Sequence, residues 1–248
     1  VIIVDEDFTL GGSLNGEKLE INGGLCTDWL GTILSELTSF KNVRLMPKTT
    51  LYGSFDHGIY GALEIRNYNS RDNLKKPRHI LWKIYSKFSV LCTGALDMSI
   101  LFENNDLPGI MLSKSMRHYC NRWGVIPGQH ISIYTNNDDG WETAKDLKEA
   151  GCNVICIIDQ RPDINPPIKN IDYVLGRKIA KAYGNLRISS IKLDNGKIIK
   201  TDCLAVSGGF NPNLHLTCHQ RGRPKWDELN HCFIPNNPPK NMSVIGAA

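Results

Sequence analysis

The acids Asp5 and Glu6 close an all-apolar run, Val1-Ile2-Ile3-Val4. In dinucleotide-binding folds a carboxylate at such a place, about 20 residues after a glycine-rich turn, accepts hydrogen bonds from ribose hydroxyls. An acid at a strand end also serves as plain solvated surface, so its companions matter. Gly11-Gly12 lets a ligand approach the backbone, Thr93-Gly94 closes a second apolar strand in a tight turn, and Gly246 closes a third. Open α/β sheets bind ligands at the carboxyl ends of their strands. The expectation is one nucleotide-shaped hollow where the strands ending at Asp5, Thr93 and Gly246 meet.

A second place for phosphate chemistry is informative through what it lacks. Between a strand expected at Ile131–Tyr134 and a helix at Glu142–Ala150, the turn reads Thr135-Asn136-Asn137-Asp138-Asp139-Gly140. A pyrophosphate-binding G-x-G-x-x-G would sit here, and one glycine remains. Asp138 and Asp139 would set negative charge beside a pyrophosphate at the helix N-terminus, against the pull of the helix dipole. Each acid is equally explained as an N-cap. The reading is a degenerate phosphate loop that takes no second nicotinamide cofactor in the ordinary way.

Other clusters carry less. His215, Cys218, His219, His231 and Cys232 lie close in sequence, but their order fits no tetrahedral zinc pattern, and no metal is expected. Cys152 and Cys156, four apart beside a strand, are read as facing one side of it. The eight cysteines (26, 92, 120, 152, 156, 203, 218, 232) are scattered singly and read as reduced structural thiols in a cytoplasmic setting. Arg221-Gly222-Arg223-Pro224-Lys225-Trp226 is a basic run with one aromatic, too little for a nucleic-acid platform. His57 and His118 are candidate acid–base groups with a structural role as the alternative, and catalytic residues stay unassigned.

The elements that must position these residues follow from periodicity. Apolar groups at 29, 30, 33, 34, 37 and 40 predict a helix over 27–40 with Thr27 or Asp28 as N-cap, followed by a strand at Val43–Met46. Three β-rich pieces at 49–55, 59–67 and 79–84, with a polar loop at 69–78, predict an antiparallel meander. Phe88–Leu91 reads as a buried strand. Further on, Ser113–Trp123 is a helix, and 131–159 forms a βαβ unit ending at Asp159. Asn195-Gly196 between Ile188–Leu193 and Ile198–Ile199 is a hairpin signal. Leu204–Val206 and Val244–Ile245 are read as strands of the first unit again. Strands alternating with helices make the class α/β. The expected division is 1–106 with 201–248 as one unit and 107–200 as a second, inserted one.

Composition agrees with a folded chain. Over 248 residues, 29 Lys+Arg against 25 Asp+Glu leave a net charge of +4, too weak to argue for nucleic acid. Hydrophobic content of 41% and charged content of 22% exclude a disordered or fibrous chain. No apolar run approaches the length of a membrane span. The chain opens on a strand without Met, and Val244-Ile245-Gly246-Ala247-Ala248 reads as a strand running into a turn. The expectation is an internal segment of a longer protein, with the glycine loop just before residue 1.

Taken together, these motifs resemble the alpha subunits of heterotetrameric sarcosine oxidases, in the dinucleotide-binding region related to pyridine-nucleotide–disulfide oxidoreductases. The resemblance is carried by Val4-Asp5-Glu6-Asp7 with Gly11-Gly12-Ser13-Leu14, and by Thr49-Thr50-Leu51-Tyr52-Gly53 with Asp56-His57. It continues through Leu81-Trp82-Lys83-Ile84, Cys92-Thr93-Gly94-Ala95, Asn104-Asn105-Asp106-Leu107-Pro108-Gly109 and Asn121-Arg122-Trp123-Gly124-Val125. Ser207-Gly208-Gly209-Phe210-Asn211-Pro212 and His215-Leu216 complete it, over essentially all 248 residues. Cys92 stands where the family commonly has Ala.

The resemblance implies two Rossmann-like, FAD/NAD(P)-binding units, the second inserted into the first. It implies an oxidoreductase complex that demethylates sarcosine to glycine, yields hydrogen peroxide and passes the one-carbon unit to tetrahydrofolate as 5,10-methylenetetrahydrofolate. This chain would hold NAD rather than FAD, at Asp5, Glu6, Gly11, Gly12, Ser13, Thr50, Leu51, Thr93, Gly94 and Gly246. FAD and FMN belong to the wider complex, with a beta-type flavin subunit and smaller subunits as partners, and neither nucleic acid nor membrane. The alternatives are an alpha-type subunit of another amine, opine or proline dehydrogenase, and a non-catalytic assembly scaffold with an empty Rossmann site.

Overall fold

The computed structural model describes residues 1–66 and 76–248. Position 67 of the expected 59–67 strand and residues 69–75 of the expected polar loop lie outside them. The chain divides into two compact units, one of Val1–Leu14, Glu20–Leu96 and Asn211–Ala248, the other of Asn15–Leu19 and Asp97–Phe210.

The first unit opens with strand β1 (Ile2–Val4), helix α1 (Cys26–Ser39) and strand β2 (Arg44–Met46). β1 and β2 pair in parallel, Ile2 opposite Arg44 and Val4 opposite Met46. Helical spacing of apolar residues produces α1 where expected, but its N-cap is Leu25, which makes no side-chain bond. Thr27 and Asp28 therefore do not cap it. Asp28 lies in the first turn, where its charge still complements the helix dipole. The expected meander is present as β3 (Thr49–Phe55), β4 (Ile59–Ile65) and β5 (His79–Tyr85), antiparallel in that order. Strand β6 (Ser89–Leu91) follows, and it is only partly buried: Leu91 is inside, whereas Phe88 and Val90 face outward.

The second unit runs through β7 (Ile110–Leu112), α2 (Ser113–Trp123), β8 (Ile131–Thr135), α3 (Asp139–Glu149), β9 (Val154–Asp159) and β10 (Tyr173–Leu175). Then come β11 (Ile179–Gly184), β12 (Ile188–Leu193), β13 (Ile198–Lys200) and β14 (Cys203–Ser207). The chain returns to the first unit and ends with β15 (Met242–Val244), parallel to β6.

A five-stranded parallel sheet in the order β7-β14-β8-β9-β10 forms the centre of the second unit. The strand at 203–207 thus belongs here, between β7 and β8, and not in the first unit as its sequence position suggested. Period-two alternation sorts its side chains into two cores. Ile131, Ile133, Ile157, Cys203 and Ala205 pack against Met116 of α2 and Trp141, Ala144 and Leu147 of α3. Tyr134, Cys156, Ile158, Leu204 and Val206 face the other way, onto Ile179, Ala182, Ile188, Ile191 and Leu193 of the antiparallel β11-β12-β13 sheet. Each buried Ile, Leu, Val or Met side chain among them contributes roughly 1.5–3 kcal/mol. With both faces covered, the strands read as continuous apolar runs. The architecture is mixed α/β with a parallel sheet. No helix among the described residues is long and apolar enough to cross a membrane.

Candidate functional site

In the first unit, the carboxyl ends of β6 and β15 are adjacent. The Ile245 amide donates to the Leu91 carbonyl at 3.0 Å, extending the ladder to Gly246. Gly94 (φ 65) and Gly246 (φ 76) turn the chain away there, and a Cβ on either would meet no atom within 4 Å. The Thr93 hydroxyl donates to the Asn213 carbonyl at 2.7 Å, while the Asn213 amide returns a bond to the Gly94 carbonyl at 2.9 Å. This pair of bonds fixes the turn and leaves its backbone open.

Asp5, at the end of β1, is tied to the meander. Its amide donates to Met46 and its carbonyl accepts from Thr49, the residue before Thr50, at 2.8 Å. The carboxylate is already partly used, since Oδ1 accepts from the Asp7 amide at 2.9 Å. Glu6 is exposed. Gly11 (φ 130) and Gly12 (φ 55) both take left-handed backbone, and a Cβ on Gly12 would also face open space. Ser13 is exposed beside it, and Leu51 packs partly against the core of Tyr60, Leu91, Leu216 and Met242. The structure therefore joins Thr93 and Gly94 to Gly246, and Asp5 to the Thr49–Leu51 strand. The two groups stand on separate strand pairs, β6–β15 and β1–β2.

The carboxyl edge of the second sheet is occupied by its own side chains. Thr135, Asp159 and Ser207 lie side by side there. Asn137 does what a bound phosphate would do at a helix N-terminus: its Oδ1 accepts the Asp139 amide at 3.0 Å and the Ser207 hydroxyl at 3.1 Å. Its Nδ2 donates to the Ser207 carbonyl at 3.1 Å. Asp138 holds the N-cap position without capping. It instead pairs with Arg161 at 2.8 Å, and Asp139 pairs with Arg117 at 2.6 Å.

Asp159, the acid at the end of β9, is fully buried and internally satisfied. Trp141 Nε1 donates to it at 2.8 Å, the Arg161 amide at 2.9 Å, and the Arg161 guanidinium through Nε at 3.1 Å and Nη2 at 2.9 Å. The hydrogen bond to Asp159 holds Arg161 more firmly protonated than usual. A ribose would have to displace an arginine that bridges both acids. Sequence reading missed this lock; the only available signal was Arg161 two residues after the strand-end acid.

The thiols behave as structural groups. Cys152 and Cys156 do not share a face: Cys152 packs with α2 and α3, and Cys156 lies in the opposite core. Burial pushes the Cys156 and Cys203 thiols up to about 11, and Cys152, beside Cys120, to about 11 as well. Only Cys92 and Cys218 are exposed among the eight. Titration of the native protein with an aromatic disulfide reagent at pH 8 should therefore label two thiols rapidly and the other six only on unfolding. Rapid loss of four or more would contradict the packing. Among the described residues, no group of three or more His, Cys, Asp or Glu side chains is placed to hold a metal ion. The His219 ring accepts the Ser54 amide, and His57 sits in a tight turn at φ 65.

No protein-family model matches the chain. Across its full length it is 35% identical to a protein named sarcosine oxidase subunit alpha from Rhizobium meliloti (strain 1021), and 32% identical to one of the same name from Corynebacterium sp. (strain U-96). It spans 26% and 28% of those proteins. The chain is thus a relative of the sarcosine oxidase alpha subunits, over about a quarter of their length. Among solved structures, L-proline dehydrogenase from P. horikoshii superposes on the whole chain with a TM-score of 0.76 at 23% identity, over 45% of that protein. The chain shares the fold of the matched part of that protein.

Proposed function

We propose that this chain is the nucleotide-binding part of a heterotetrameric sarcosine oxidase. Both units are Rossmann-like, and the first binds NAD, with FAD the less favoured ligand, at the carboxyl ends of β1, β6 and β15. The observation that carries the reading is the set of three left-handed glycines, Gly12, Gly94 and Gly246, whose missing Cβ atoms would all face open space. Bare backbone just after β6 and β15, and in the loop that follows β1, is what close approach of a pyrophosphate requires. Asp5 and Glu6 would take ribose hydroxyls, and Ser13, Thr50, Leu51 and Thr93 would line the ligand. A nicotinamide ring, when bound, exchanges a hydride. The residues of this chain bind and orient the nucleotide and contribute to assembly.

The second unit does not serve as a second nucleotide site, because Asn137 and the Asp138–Arg161–Asp159 bridge occupy its phosphate and ribose positions. For the whole protein, the reaction is oxidative demethylation of sarcosine to glycine, with hydrogen peroxide and 5,10-methylenetetrahydrofolate as products. A beta-type flavin subunit and smaller subunits complete the complex and bring FAD and FMN.

Calorimetric titration of the full-length protein with NAD and with FAD tests the site. Gly94→Val and Gly246→Val should each weaken binding at least about tenfold by filling the approach. Gly151→Val is the control, since Gly151 is also left-handed (φ 83) with open space around it but ends α3. It should strain the backbone and leave affinity unchanged. Equal effects of all three, or no nucleotide binding by the wild type, would sink the assignment. Oxygen uptake with sarcosine, with and without tetrahydrofolate, tests the substrate.

A further inference from the structure

His215 lies in the first unit, beside the Thr93-Gly94 turn, on a segment that the fold holds firmly. Its chain neighbours Leu214 and Leu216 are buried. Leu216 packs in one core with Leu91, the last residue of β6, and Met242, the first of β15. Thr217 closes the segment on itself: its amide at 3.0 Å and its hydroxyl at 2.7 Å both donate to the Leu214 carbonyl. His215 itself is exposed. A side chain meets a ligand best from a backbone fixed by its own packing, and His215 has that support.

Asn213 links the imidazole to the turn. Its backbone makes the two bonds that hold Thr93 and Gly94, and its side-chain Oδ1 is hydrogen-bonded to His215 Nδ1. A carboxamide oxygen only accepts, so the hydrogen of the neutral ring sits on Nδ1 and Nε2 keeps a bare lone pair. Among the described residues Nε2 has no hydrogen-bond partner. The neutral ring is thus an acceptor held next to a turn with open backbone. The oxygens of a pyrophosphate also only accept and do not suit it; a sugar hydroxyl does.

We infer that His215 is a ligand-binding residue of the nucleotide site. Its Nε2 accepts a hydrogen bond from a hydroxyl of the sugar next to the pyrophosphate that Gly94 and Gly246 admit, and Asn213 is the positioning residue that sets the tautomer. This rests on the nucleotide reading above and extends it. Asp5 and Glu6 supply acceptors on the β1–β2 pair, His215 supplies one on the β6–β15 pair, and each ribose of NAD then has an acceptor of its own.

The test is calorimetric titration of the full-length protein with NAD and with two NAD analogues, each lacking the hydroxyls of one ribose. His215→Ala should weaken NAD about five- to tenfold with the melting temperature unchanged. The wild type should lose a similar factor with the analogue deoxygenated at the ribose that His215 touches, and His215→Ala should lose nothing further with it. Asn213→Ala leaves the backbone bonds to Thr93 and Gly94 in place and frees the ring. It should weaken NAD about threefold and keep most of the penalty for the missing hydroxyl. His79→Ala, an exposed histidine on β5 in the same unit, is the control and should bind NAD as the wild type does. Unchanged NAD affinity in His215→Ala overturns the inference alone, and so do analogue penalties that persist in full in that variant. A wild type that binds no NAD overturns the nucleotide reading first and this inference with it.

Discussion

Asp159→Ala should destabilise the protein by about 3 kcal/mol, lowering the melting temperature by on the order of 10 °C. The carboxylate is fully buried and accepts the Trp141 Nε1–H, while also holding Arg161 through three donors. Removing it leaves the indole N–H unsatisfied inside the core and frees a guanidinium whose remaining partner, Asp138, is 87% exposed. Leaving one member of a buried pair behind is what makes such changes severe. Asp138→Ala removes only an exposed pair and should lose less than about 1 kcal/mol. Urea unfolding of the two variants, followed by circular dichroism, checks the contrast. Equal midpoints would show that the lock at the end of β9 is not what holds this edge together.

The second large effect is expected from a single methyl group. Gly140→Ala would place a Cβ 2.5 Å from both Cβ and Oγ1 of Thr135. Those atoms belong to a central strand and cannot swing aside, so α3 must lift from the sheet. Overpacking of this kind loses about 1–3 kcal/mol, and the upper end is expected here because Trp141, the next residue, is locked in the same core. The bare Cα of Gly140 is what lets α3 pack this closely on β8. Thr135→Ser should not rescue the variant, since the clashing Cβ and Oγ1 remain. A melting temperature within a degree of wild type would mean that the helix accommodates the methyl without moving.

Much of the local architecture was written in periodicity. The α2 boundaries, the three strands of the meander, the βαβ unit ending at Asp159 and the Asn195-Gly196 hairpin all occupy the stretches their patterns indicated. These depend on contacts within a few residues, and a chain's own spacing records them. The motif resemblance reached further and is matched by similarity, across the whole of this chain, to about a quarter of the length of sarcosine oxidase alpha subunits.

Tertiary structure alone decided which strands share a sheet. Cys203–Ser207 is apolar on both faces, so nothing in its pattern distinguishes one parallel sheet from another, and only pairing with β7 and β8 assigns it. The same holds for Cys152 and Cys156: Cys152 precedes the strand, outside its alternation, and the two thiols end in opposite cores. Charge partners are the third case. Asp138 and Asp139 look like ordinary caps until Arg161 and Arg117, distant or unremarked in sequence, meet them. A side chain's local preference is a property of its neighbours in the chain, whereas an ion pair or a parallel strand pairing is a property of the folded path, and no short-range pattern encodes it.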